Sequence, residues 1–157
     1  MNIVKQSKGS SSRFLRKRPF FFGKNKTSFH SYLISMIFAS WLATYLELIP
    51  TGKQLYTFQA RPFADIFPID IRFTLIGIPA FTLFMLLALA KMNFLQRSLF
   101  LIMLGLIMVM VEQISGRMGW IVYSEQWQHI YSFFGYPAFI LVIFFFFKWC
   151  ESARGTY

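Results

Sequence analysis

The chain has 157 residues, 56% of them hydrophobic and 20% aromatic, with only 14% charged and a formal charge of +10. That is too apolar for an ordinary soluble domain of this size and points to an integral membrane protein. The single cysteine, Cys150, excludes an internal disulfide framework and any zinc site built from paired cysteines.

Half of the basic residues, Lys5, Lys8, Arg13, Arg16, Lys17, Arg18, Lys24 and Lys26, lie in the first 28 positions, which contain no acid. Such an arm can hold nucleic acid. Beside an apolar chain its simpler role is to stay cytoplasmic and meet anionic lipid headgroups, with Arg13, Arg16, Lys17, Arg18, Lys24 and Lys26 as the contacts. Phe20, Phe21 and Phe22 among these charges favour the membrane interface. A cleaved signal peptide is rejected, because the basic region is too long and the following apolar run is a full span.

The first span is expected at 29–49, closed by the breakers Pro50 and Gly52. A polar connection leads to a second span at about 69–90, and Lys91 and Asn93 mark a short turn. The third span is expected at 98–118 and the fourth at 130–147, followed by a short charged tail at 150–157. The expected fold is therefore all-α, an integral membrane bundle of four transmembrane helices. Four spans put both termini on one side, and the positive excess of the arm, the 91–97 turn and the tail makes that side cytoplasmic. The expected location is the cell (inner) membrane.

The wholly apolar run Leu99–Val111 covers as helix only about 20 Å of a hydrocarbon core roughly 30 Å thick. The third helix must then continue through Glu112 toward Met118, which puts that carboxylate inside the outer half of the bilayer or at its edge.

GIPAF at 77–81 recurs as GYPAF at 135–139, each in a helix preceded by one with a glutamate near its outer end, Glu47 and Glu112. The chain reads as two similar helical hairpins related by an axis near the membrane normal. Chance resemblance in an apolar sequence is the alternative, since the glutamate-to-proline intervals are 32 and 25 residues. Gly77, Pro79, Gly135 and Pro137 are expected at helix kinks.

Buried acids need partners, and the expected intramembrane polar cluster is Glu47, Asp70, Arg72, Glu112, Ser115 and Arg117. Arg72 is the first expected partner of Glu112, and Arg117 the second. The cluster has two readings: interhelical contacts that fix the bundle, or a site for a substrate or proton. Trp41, Tyr45, Trp120, Tyr123 and Trp127 are expected to form an interfacial aromatic belt. His30 and His129 fall at opposite membrane faces and share no metal. Ser124, Ser132, His129 and Glu125 lie close in sequence, but without a nucleophile elbow, HExxH or phosphate loop. No enzyme, metal or cofactor is expected.

IDIRFTLIGIPAF, the glutamate in VEQISGRMG, and GWIVYSEQW with Gly119, Ile121, Tyr123 and Trp127 together resemble small multi-pass membrane proteins of spore-forming Firmicutes. The resemblance implies a compact bacterial inner-membrane protein whose glutamate and aromatic segment belong together, and it supplies no substrate. The expected role is non-enzymatic, a small structural or partner-binding component of an envelope assembly. The alternative is a carrier or channel subunit for an ion or small solute. Expected partners are the bilayer with its anionic headgroups and a protein partner or a second copy, which would shield Glu47 and Glu112.

Overall fold

A computed structural model describes residues 29–59 and 61–154. The basic arm and its headgroup contacts lie outside these residues. The element order is α1 (Phe29–Gly52), β1 (Tyr56–Phe58), a π-helical turn (Phe73–Gly77), α2 (Ile78–Lys91), α3 (Phe94–Arg117), β2 (Ile121–Tyr123) and α4 (Ile130–Arg154). Four helical segments, the second joining the π turn to α2, are long and apolar enough to cross a membrane. They pack against one another as an all-α bundle, and the chain is a multi-pass membrane protein.

Four boundaries differ from the sequence expectation. The second helical segment begins at Phe73 rather than at about 69. Pro50 does not stop α1, which runs on to Gly52 before a capped ending closes it. The third helix starts four residues earlier than expected. Asn93 accepts from the Gln96 backbone while the Gln96 side chain accepts from that of Asn93, each at 3.0 Å, a complete capping box. The fourth continues through the residues assigned to a tail, as far as Arg154.

α1 and α2 form one hairpin and α3 and α4 the other, with α4 also packed along α1. Small residues make α1 a close neighbour: Ser31, Ser35, Ala39 and Ala43 recur every fourth position and are all buried. Against this stripe the core is filled by Met85, Leu86 and Leu89 of α2 and Ile140, Ile143, Phe144 and Phe147 of α4. The opposite faces of the helices expose large apolar side chains such as Ile37, Phe84, Met103 and Phe145, as lipid contact requires.

At the end where α1 and α3 finish, β1 pairs antiparallel with β2, in the register Tyr56 to Tyr123, Thr57 to Val122 and Phe58 to Ile121. This bridge ties the hairpins together, and it was not expected from the sequence, where both segments read as connections. Each strand follows an identical helix ending. Leu55 donates to the Pro50 carbonyl at 2.9 Å and Gln54 to Thr51 at 3.0 Å, while Trp120 donates to Ser115 at 3.0 Å and Gly119 to Gly116 at 3.1 Å. Both are Schellman endings, with Gln54 at φ 55° and Gly119 at φ 72° in the left-handed position.

The correspondence is exact in register: Glu47 with Glu112, Gln54 with Gly119 and Phe58 with Tyr123 are each 65 positions apart. The bonds flanking the bridge obey the same spacing, Gln59 to the Trp120 carbonyl at 3.0 Å and Ser124 to that of Leu55 at 2.9 Å. In α2 and α4 the spacing becomes 58, and it pairs buried Thr74 with Ser132, Thr82 with Ile140, Met85 with Ile143, Leu86 with Phe144 and Leu89 with Phe147. The change from 65 to 58 is the same seven residues by which the two glutamate-to-proline intervals differ. The hairpins are structural repeats, and the longer first connection accounts for the mismatch.

The prolines act alike in both repeats. Pro79 has no N–H for the Thr74 carbonyl within the π turn, and the Ser40 hydroxyl of α1 donates to that carbonyl at 2.6 Å. Pro137 likewise leaves the carbonyl of Phe133, four residues back, without its helical donor. That oxygen sits against Gly105 of α3, the positional equivalent of Ser40, so closely that a Cβ there would lie 2.6 Å from it.

Candidate functional site

The bridge end carries the polar side chains, and Glu112 is the centre of the tightest group. Its helix delivers it one turn before the Schellman ending, so that β2 folds back beside it. A turn closed by Trp127 N–H to the Ser124 carbonyl at 3.0 Å then returns the chain over the same carboxylate. The Trp127 indole donates to Glu112 Oε1, and His129 Nδ1 meets the same oxygen at 2.8 Å. Glu112 is only 6% exposed, and its Oε2 has no hydrogen-bond partner among the described residues.

An indole nitrogen can only donate, so Oε1 accepts from Trp127; with Glu112 ionised, His129 Nδ1 is the second donor to the same oxygen and Nε2 is left facing away from it. The side chain of His129 is 42% exposed, and so the ring connects a buried carboxylate to the surface.

Aromatic rings enclose the group. Tyr123 stacks on Trp127 with centroids 6.0 Å apart and meets the His129 ring edge-on at 5.8 Å. Tyr56, from the other repeat, stands perpendicular to Trp127 at 5.2 Å. The Tyr123 ring lies over Gly116, where an added Cβ would approach it to 3.3 Å. Burial first, and then the Glu47 carboxylate, push the Tyr56 phenol far above its ordinary value; burial and then Glu112 raise that of Tyr123. Both phenols stay protonated across the physiological range.

The structure divides the polar cluster expected from the sequence. Arg72 is not the partner of Glu112: its guanidinium meets Asp70 at 3.4 Å beside the π turn, and its side chain is 64% exposed. Arg117 is also turned away, because five residues along a regular helix rotate it from the Glu112 face. Ser115 donates back to the Val111 carbonyl at 2.8 Å, four residues earlier on its own helix. Glu47 is half-buried, with an unpartnered Oε2.

The aromatic residues separate too. Trp41, Tyr45 and Trp120 are exposed, but Trp127 turns its indole inward as a donor, which interfacial enrichment alone does not anticipate. Its spacing from Glu112 carries no local signal, since the contact depends on the reversal at Gly119. Of the helix-kink residues, Gly77 and Pro79 stand where the π turn passes into α2, with the Phe73 ring filling the space beside Gly77. Pro137 lies inside an otherwise continuous α4, as does Gly135.

Beside the carboxylate group a cleft of about 500 Å³ is lined by Gln113, Gly116, Arg117, Tyr123 and His129. It combines two basic side chains, an amide and a phenol. No group of three or more His, Cys, Asp or Glu side chains suited to a metal ion occurs among the described residues. Comparison with protein-family models, curated proteins and solved structures finds no match for this chain.

Proposed function

We propose that this protein is a non-enzymatic, partner-binding component of a bacterial envelope assembly, held in the cell membrane with both termini cytoplasmic. The observation that carries this reading is the use made of its polar groups. They gather at the bridge end, where Glu112, Trp127, His129 and Tyr56 fasten connections and repeats together, while Leu86, Leu89, Ile143 and Phe147 fill the bundle beneath them. A closed apolar core under a braced polar cap suits a scaffold better than a pathway. The envelope setting rests on the resemblance to small membrane proteins of spore-forming Firmicutes, and the orientation on the positive excess at the terminal side.

One observation favours a carrier or channel subunit instead: Glu47 and Glu112, equivalent in the two repeats, each keep a buried oxygen with no partner among the described residues. Glu112→Gln separates the readings. A bracing role predicts less folded or assembled protein, with unchanged ion or solute movement per assembled molecule after reconstitution. Normal assembly together with abolished flux would overturn the proposal. Orientation is tested by replacing Cys150 and labelling Ser10→Cys, Gln59→Cys, Ser124→Cys and Ser152→Cys from either side; external labelling at Ser10 would reverse it.

A further inference from the structure

We infer that the cleft beside Glu112 binds the phosphate of an anionic phospholipid headgroup, with Arg117 and His129 as the groups that hold it. Arg117 forms no ion pair among the described residues, and it shares the cleft wall with His129, Gln113 and Tyr123. Every one of these side chains can donate a hydrogen bond, and two can carry positive charge. No carboxylate lines the cleft among the described residues. The nearest, Glu112, is committed through Oε1 to the rear of the imidazole, so that it fixes the ring without facing an anion.

The groups packed around that ring are consistent with this arrangement. From α3 they are Glu112, and from β2 the Tyr123 phenol, which stays neutral. Glu112 is thus a positioning residue, and it stands to His129 as buried acids stand to ligand-holding histidines elsewhere.

A lipid, rather than a free anion, is indicated by what surrounds the cleft. Met110, Ile114 and Arg117 follow one face of α3 at helical spacing, and Met110 and Ile114 are exposed at 62% and 52%. Met118 and Trp120, which directly follow Arg117 in the chain, are also exposed. A phosphodiester on Arg117 therefore has an apolar track for its acyl chains directly along the helix. Choline would place a second cation near Arg117, so phosphatidylglycerol fits better than phosphatidylcholine.

The inference is independent of the partner-binding reading, whose test is assembly and flux. Here the full chain is placed in nanodiscs of phosphatidylcholine, with or without phosphatidylglycerol, and observed by nitrogen NMR of the His129 ring and by native mass spectrometry of retained lipid. Phosphatidylglycerol should shift the His129 signals and remain bound. Arg117→Gln should weaken retention roughly tenfold, as expected for loss of one charge-assisted contact. Glu112→Gln should weaken it less and move the His129 ring-nitrogen signals even without phosphatidylglycerol, because the Nδ1 contact with the carboxylate is lost, a readout that simple unfolding would not reproduce. Unchanged retention in folded Arg117→Gln, or His129 signals indifferent to phosphatidylglycerol, would overturn the inference. So would an equal response to inorganic phosphate alone, which would assign the cleft to a free anion.

Discussion

The two repeats share a backbone plan and differ in what they do with it. In the first, Glu47 lies near the end of α1 beneath a long connection in which Arg72 pairs with Asp70. In the second, the connection is seven residues shorter, and its Trp127 and His129 fall directly on Glu112. One repeat leaves its acid half-buried with an oxygen that has no hydrogen-bond partner among the described residues; the other buries it and braces it. The difference teaches that the position of the glutamate is set by the scaffold, whereas its chemistry is set by the length of the loop that follows.

The same contrast appears where the helices touch. Ser40 answers the carbonyl left by Pro79 with a hydroxyl, while Gly105 meets the carbonyl left by Pro137 with no side chain at all. The largest expected effect therefore lies at Gly105. Gly105→Val places carbon against the Phe133 backbone oxygen, which cannot rotate aside, and forces α3 from α4 at a cost of about 3 kcal/mol. Reversible unfolding in mixed micelles measures it. Ser40→Ala, at the equivalent place, removes only one interhelical hydrogen bond, worth about 0.6 kcal/mol. Equal losses at the two positions would break the comparison.

Next comes the brace itself. Trp127→Phe keeps the ring and removes the indole donor, leaving Glu112 with one partner on Oε1 and none on Oε2, for a loss of about 2 kcal/mol. Trp41→Phe, at an exposed ring of the first repeat, should change stability by less than about 0.5 kcal/mol. The same unfolding measurement compares them. If the two substitutions cost alike, Trp127 serves as an interfacial anchor and the inward donor contact contributes nothing.

How far the sequence reveals this arrangement depends on the range of the signal. Apolar runs of span length identify the four helices, and the 13-residue run before Glu112 correctly requires the helix to contain it. The paired GIPAF and GYPAF mark both prolines. Two further features are local in the sequence: the four-residue stripe Ser31, Ser35, Ala39, Ala43 announces the close-packed face of α1, and Asn93 with Gln96 spells a capping box. The bridge was hidden because three-residue strands have no measurable alternation. Opposite charge pointed from Glu112 to Arg72 and Arg117, but an acid near a membrane surface takes whichever donor the chain reversal delivers. Here the donors are an indole and an imidazole, 15 and 17 residues away.

The smallest expected effect is also the most specific to the repeat. Gly119 takes the left-handed position of its Schellman ending freely, and nothing lies within 4 Å of where its Cβ would be. Gln54 holds the equivalent position in the first repeat at φ 55°, which costs a side-chain-bearing residue about 1 kcal/mol or more. Gln54→Gly relieves that cost but gives the unfolded chain greater freedom, worth about 0.4–1 kcal/mol in the opposite sense. The net expectation is a gain of about 0.5 kcal/mol, obtained as a difference of those two effects. Gly119→Gln, which inserts the first repeat's residue into the second, should lose a similar amount. Opposite signs from these reciprocal exchanges would show that the two endings are energetically interchangeable; a loss from both would mean that the Gln54 side chain contributes a contact that offsets its backbone cost.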